Sequence, residues 1–200
     1  MKHSHIKELA KRYELILGSR SPRRKSLLEE IPVLFKQIIP KLEEKRLDHE
    51  EPYDFACRLA EDKALSIALG LTERQVVLGC DTIVVLDGDV LGKPTNRSSA
   101  LDTLTRLVGN RHTVCTALAL ASNKGLLASA YALTEVFFNP VSRGQLEDYI
   151  GTGEPMDKAG AYGIQGMGGF LVDRIEGSLD NVIGLPRDLL DDLAEGIIGF

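Results

Sequence analysis

The 200-residue chain lacks most of the features that would tie it to an extracellular, membrane or polynucleotide setting. Cysteine is scarce: Cys57, Cys80 and Cys115 form no CxxC pair and are odd in number. That excludes a disulfide framework and fits small buried thiols in a reducing cytoplasm. No histidine is placed beside a cysteine, so a cysteine nucleophile has no partner in the sequence. No apolar run approaches membrane-spanning length, and the opening "MKHSHIKELAKRYE" is too polar for a secretory signal. A positive excess is missing as well; the net charge of −5 argues against general affinity for nucleic acid. There is no internal repeat, low-complexity tract or clear linker. The glycine spacing and terminal Lys-Ser/Thr of a Walker A loop are absent too.

With 44% hydrophobic and 26% charged residues, the chain reads as a soluble globular protein. Its length fits one domain, with room for division into two lobes and for a sizeable core. Residues 1–14 read as an N-terminal extension, a loose or frayed leader in which His3 and His5 do not build a metal site. The domain proper then spans 15–200. "ELILG" predicts a strand, "SPRRKSLLEE" a helix, "VLFKQIIP" (33–40) a second strand and "KLEEKRLDHEEP" (41–52) an exposed loop. A helix over 53–70 ends at Gly70 as C-cap. β-branched runs around "DGD" predict a hairpin over "QVVLGCDTIVVLDGDVLGKP". A helix over 96–109, an antiparallel pair (112–122 and 126–138), a helix from Ser142, a strand in "GFLVDRIEGS" and a closing helix complete the order. Strands and helices do not alternate strictly, which predicts a mixed sheet with helices on both faces.

Three places carry candidate chemistry. In "GSRSPRRKSLLEE", Ser21 sits where an N-cap belongs and Pro22 at the first helical position. Arg20, Arg23, Arg24 and Lys25 crowd that helix start, the positive end of the macrodipole, where cations are disfavoured and anions favoured. Free backbone N–H groups and guanidinium forks together suit phosphate oxygens. Asp81 is the second. It interrupts the most apolar segment of the chain, a costly position for a carboxylate unless it is paired or metal-bound. Lys93 in "LGKP" returns near the strand that carries it. The third is "EPMDKAGAYGIQGMGG" (154–169), where glycines let backbone approach a ligand or adopt positive φ. Its single amide, Gln165, can donate and accept at once. Uracil and thymine present an N–H beside a carbonyl, which one amide satisfies with two hydrogen bonds; cytosine does not.

In order, "SRSPRRKSLL", "RLAEDKA", "GCDTIVVLDGDVLGKP", "GNRHTVCTA" and "TGEPMDKAGAYGIQGMGGFLV…IEGS…NVIGLP" resemble the blocks of the Maf family of nucleoside triphosphate pyrophosphatases. The resemblance spans about residues 15 to 190. It implies an α/β fold of the Maf/ITPase-like kind, a mixed twisted sheet flanked by helices in two lobes with an active-site cleft. It also implies dependence on a divalent cation, Mg²⁺ or Mn²⁺, and hydrolysis of a nucleoside triphosphate to monophosphate and pyrophosphate. The family's setting is cytoplasmic house-cleaning of nucleotide pools by a homodimer, with no membrane and no nucleic acid polymer as partner. Ser19, Arg23 and Arg24 look like the polyphosphate cradle, and Lys63 and Lys93 like two active-site lysines. Asp81 is similar to the family's proton acceptor, a carboxylate that can equally ligate metal. Glu43 in "LEEKR" matches a glutamate of the metal site, with Glu44 adjacent as the alternative. Lys41 departs from the acidic or small polar residue of many relatives. Arg23, Thr82 and Gln165 resemble the specificity set of dTTP/UTP pyrophosphatases. The rival readings are a 7-methyl-GTP-type pyrophosphatase of the same family and a non-catalytic nucleotide-binding regulator of cell division.

Overall fold

Strand β1 (Glu14–Gly18) and the long strand β3 (Gln75–Leu86) are buried almost residue by residue, without alternation between a wet and a dry face. Such continuous burial belongs to strands covered on both sides. The protein is described here by a computed structural model covering residues 3–199. Seven strands hydrogen-bond in the order β2-β1-β3-β5-β6-β7, with β4 on β3. β1 runs parallel to β2 (Phe35–Gln37) and to β3, whereas β4 (Asp89–Leu91) is antiparallel to β3. β7 (Val172–Glu176) is antiparallel to β6 (Gly125–Phe138), and β5 spans Arg111–Ser122. The sheet is therefore mixed and accompanied by helices, as the irregular order of elements predicts.

The chain forms two compact units. One comprises Met1–Asp81, Thr116–Ala132 and Gly184–Phe200; the other comprises Thr82–Cys115 and Leu133–Ile183. In the first unit, α2 (Pro22–Glu29) starts as expected, with the Ser21 hydroxyl accepting from the Arg24 N–H and Pro22 at N1. α3 (Pro52–Ala68) ends two residues before Gly70, capped by Leu69 in helical conformation, so the glycine is not its C-cap. β2 is much shorter than the run 33–40 suggests. It lies at the edge of the sheet, its register on β1 covers only Phe35 to Gln37, and Pro32 and Pro40 bracket it.

The polar leader is not loose. Residues Ser4–Arg12 form α1, which packs on the closing helix α7 (Arg187–Ile198). Ile6 and Leu9 are buried beneath it. Asp191 Oδ1 accepts the backbone N–H of Ile6 at 2.8 Å, satisfying one of the orphan donors of the helix start. His3 pairs with Asp188 and His5 with Asp191, each at 3.1 Å. The histidines thus serve as docking groups. A mean over the whole segment hides this, because only two of its residues face inward.

The second unit holds the hairpin, α4 (Arg97–Leu107), α5 (Arg143–Gly151) and α6 (Leu179–Ile183), with three short 3₁₀ turns at Glu154–Asp157, Ala159–Ala161 and Met167–Leu171. Asp87 and Gly88, both at positive φ, make the tight turn that "DGD" announces. Leu104, Leu107, Val114, Val136, Phe138, Tyr149 and Tyr162 share one core. Within it His112 lies edge-on to Phe138 at 4.8 Å and is hydrogen-bonded through Nε2 to the Tyr162 hydroxyl at 2.8 Å. Burial alone pushes the His112 imidazolium pKa down to about 4.

Two outcomes follow from these contacts. The Leu9→Ala variant is expected to lose about 2–5 kcal/mol of stability in urea unfolding, the range for a buried leucine; a frayed leader would show less than about 0.5 kcal/mol. His112 stays neutral in the folded protein between about pH 6.5 and 4, where the unfolded chain takes up a proton. Stability is therefore expected to fall as pH drops through that window, by about 3 kcal/mol in total. The urea midpoint of His112→Phe should be flatter over the same range.

Candidate active site

β1 delivers the chain to Ser19, buried at 4% exposure, at the turn into α2. The Ser19 hydroxyl oxygen accepts from the Ser21 N–H and from Arg24 Nη1, each at 3.2 Å. Its carbonyl accepts from Gln37 Nε2 at 2.7 Å. Arg24 reaches further, donating from Nη1 to the carbonyl of Cys80 at 3.0 Å and from Nε to that of Gly184 at 2.9 Å. Arg24 therefore ties the turn after β1 to the residue that precedes Asp81. Arg23 stands beside it in the first turn of α2, half-buried.

Asp81 and Lys63 are both about 6% exposed. Lys63 Nζ donates to Asp81 Oδ1 at 2.5 Å and lies 2.7 Å from Glu44 Oε1. The burial of a lysine follows from helix geometry. Phe55, Leu59, Ala60, Lys63 and Ala64 fall on the buried face of α3, so the Lys63 stem leaves on the apolar side and its ammonium must find a carboxylate. α3 comes this close to β3 because residue 79 has no side chain. A Cβ there would lie 2.1 Å from the Ala60 carbonyl oxygen and 2.8 Å from the Ala64 nitrogen. Gly79 thus sets the separation of Lys63 and Asp81.

Glu44 is the loop carboxylate that reaches this pair; Glu43, its neighbour, lies in the same exposed loop. That contact bears on the ion pair alone, and either glutamate of the loop remains a candidate metal ligand. Two hard carboxylates suit Mg²⁺ or Mn²⁺, which are commonly held by one or two carboxylates together with substrate phosphates. Among the described residues no group of three or more His, Cys, Asp or Glu could hold a metal unaided. The donor set fits a cation shared with a phosphate ligand. Cysteine chemistry finds no footing: burial pushes the thiols of Cys57 and Cys80 up to about 11.

Thr82, Lys93 and Gln165 belong to the second unit. Thr82 follows Asp81 directly on β3. Lys93 is exposed just beyond β4, next to buried Pro94, and Gln165 is exposed on the loop between the second and third 3₁₀ turns. The residues that sequence reading missed are Gln37, which bonds the Ser19 carbonyl, and Glu154 with Tyr149, which hold the Gln165 loop. Glu154 has a signal in hindsight: it is an acid four residues ahead of Lys158, at the head of a glycine-rich stretch.

Among the described residues no helix is long and apolar enough to cross a membrane. A family model described as "Maf-like protein" matches residues 14–197. A dTTP/UTP pyrophosphatase of Vibrio cholerae is 44% identical over 180 residues, covering 90% of this chain and 96% of that protein. One from Salmonella typhimurium is 46% identical over 173 residues, covering 86% and 87%. A solved nucleoside-triphosphatase / dITP/XTP pyrophosphatase from Mycobacterium abscessus covers 64% of this chain and 75% of its own at 13% identity. Its TM-score of 0.38 is too low to bear on the reading.

The Gly79→Ala variant is expected to lose about 1–3 kcal/mol of stability, the range for a forced contact in a packed interior. Its Lys63–Asp81 pair should be spread apart, read as a change in Lys63 chemical-modification rate in the folded protein. Wild-type stability and reactivity in that variant would show that the close approach of α3 to β3 is not what spaces the pair.

Proposed function

The chain belongs to the Maf family, and from that premise we propose that it hydrolyses dTTP and UTP to the nucleoside monophosphate and pyrophosphate. The observation that carries the reading is the buried Lys63–Asp81 pair, joined to the phosphate-type turn through the Arg24 bond to the Cys80 carbonyl. A nucleotide tail at the first turn of α2 meets backbone N–H groups, the helix dipole and Arg23, all acting in one direction. The cations that oppose the helix dipole in the resting protein then favour binding. Ser19 and Arg24 keep the turn in shape.

Water attacks the α-phosphorus, the bond from that phosphorus to the α–β bridging oxygen breaks, and pyrophosphate departs. Asp81 takes the proton of the attacking water, and the Lys63 ammonium fixes the carboxylate's orientation. Arg23, Lys63 and Lys93 answer the charge that gathers on the departing pyrophosphate. Asp81 and a glutamate of the loop, Glu43 or Glu44, would hold a Mg²⁺ or Mn²⁺ ion, which supplies charge neutralisation at the phosphate oxygens. Gln165 selects the base by its paired donor and acceptor, with Thr82 as a second contact. Cytosine presents its donor and acceptor in the reverse order, so an amide held in one orientation meets like groups on both bonds, and purines are larger; such mismatch discriminates strongly. Three free thiols fit a cytoplasmic setting, and the family resemblance supports a homodimer.

The deciding measurement is pyrophosphate release across a panel of nucleoside triphosphates, with Mg²⁺, with Mn²⁺ and with EDTA. dTTP and UTP should be turned over fastest, and EDTA should abolish turnover. The Asp81→Asn variant is expected to lose at least about 10²-fold in kcat, the scale of a positioned general base, while nucleotide still binds by calorimetry. Fastest turnover of 7-methyl-GTP would move the chain to the sister activity. Binding without metal-dependent turnover in the wild type would leave the regulator reading.

A further inference from the structure

Glu154 opens the first 3₁₀ turn of the second unit and sends its side chain back onto the glycine-rich loop. Its Oε2 accepts from the backbone N–H of Met167 at 2.8 Å, and Oε1 accepts from that of Gly168 at 3.2 Å. The Tyr149 hydroxyl donates to Oε1 at 3.0 Å and accepts from the backbone N–H of Gly163 at 3.2 Å. One carboxylate and one phenol therefore grip the loop at residues 163, 167 and 168, on both sides of Gln165.

Two glycines of this loop, Gly166 and Gly168, lie directly against that grip. At Gly166 a Cβ would fall 2.5 Å from Glu154 Oε1, and at Gly168 it would fall 2.5 Å from the Tyr149 hydroxyl oxygen. At Gly163 it would strike the Lys158 side chain at 2.8 Å. None of the three has positive φ; Gly160, outside the gripped span, does. Close approach of the Glu154 carboxylate at Gly166 and of the Tyr149 phenol at Gly168 is what those two positions accommodate, rather than unusual backbone angles. Burial works against the charged form of Glu154, but the Met167 and Gly168 N–H groups, the Tyr149 hydroxyl and Lys158 outweigh it and hold its carboxyl below the ordinary range. Burial and the neighbouring carboxylate push the Tyr149 phenol up, so it remains a donor.

We propose that Glu154, acting with Tyr149, is the positioning residue for base recognition: it fixes the loop from which Gln165 reads the nucleobase. The assignment rests on the pyrimidine reading given above for Gln165 and extends it to the group that holds the amide in place. A two-point hydrogen bond to a base edge tolerates little displacement, and misplacement of about 1 Å is enough to cost up to about 10²-fold. Glu154→Gln keeps the size but turns an N–H₂ toward one of the backbone donors, so the grip cannot close. Tyr149→Phe removes the hydroxyl that bridges Glu154 and Gly163.

Both variants are assayed with dTTP, UTP, dCTP and ribose 5′-triphosphate, which has no base, after near-ultraviolet circular dichroism confirms native packing. In Glu154→Gln the KM for dTTP is expected to rise about ten-fold, with kcat within about three-fold of wild type and the dTTP-to-dCTP ratio of kcat/KM reduced about ten-fold. Tyr149→Phe should move the same quantities in the same direction by less, and it carries the test if Glu154→Gln does not fold. The losses should be confined to substrates that carry a base. Unchanged dTTP KM and selectivity in the folded variants would overturn the proposal, as would an equal loss on ribose 5′-triphosphate. A wild type that prefers some other base would sink the dTTP/UTP reading alone, and the grip is then judged on that preference. A wild type with no base preference would overturn both.

Discussion

The candidate catalytic centre depends on how closely α3 lies against β3. A helix backbone and a strand backbone meet at Gly79 with no side chain between them, and that contact brings Lys63 within hydrogen-bonding distance of Asp81. Neither charge would be tolerable alone at such depth. Taking a carboxylate or an ammonium out of water costs several kcal/mol, offset only by a well-placed partner. Glu44 adds a second negative group from the loop, so the three side chains carry a net negative charge. Such a cluster does little for stability.

The basic helix start answers a different electrostatic demand. Arg24 is oriented by three acceptors of the protein, the Ser19 hydroxyl and the carbonyls of Cys80 and Gly184. These bonds lock the turn after β1 onto the end of β3 that leads into Asp81. Arg23, one residue earlier, points from the same turn in another direction, because successive helical residues are about 100° apart. Of the two adjacent arginines, Arg24 is the one whose guanidinium is spent on holding the turn. In the second unit, too, side chains serve as scaffold: Glu154 and Tyr149 hold the loop that carries the exposed amide of Gln165.

Local chemistry was legible wherever neighbours in sequence decide it. The Ser21-Pro22 helix start, the Asp87-Gly88 turn, the helix start at Ser142 and the continuous apolar runs of β1 and β3 depend on residues a few positions apart. Errors arose where distant contacts intervene. The run 33–40 is apolar enough for a longer strand, but β1 offers it a partner over only three residues. The leader looks too polar to fold, yet Ile6, Leu9 and one accepting oxygen of Asp191 suffice to seat α1 on a helix more than 180 residues away. That Glu44 rather than Glu43 meets Lys63 follows from a side-chain direction in an irregular loop, which composition does not encode.

The amino-acid sequence by itself determined the class of fold, the basic Ser21-Pro22 helix start, the out-of-place carboxylate at Asp81 and the glycine-rich loop bearing Gln165, because residue type and short-range spacing encode each of these. Tertiary structure alone decided what those pieces do to one another. It made Arg24 a strut, paired Asp81 with Lys63, brought Glu44 to that lysine, and turned Gly166 and Gly168 into clearance for Glu154 and Tyr149. The reason is physical: a charge or a missing Cβ shows that something must approach, but only the packed chain shows what does.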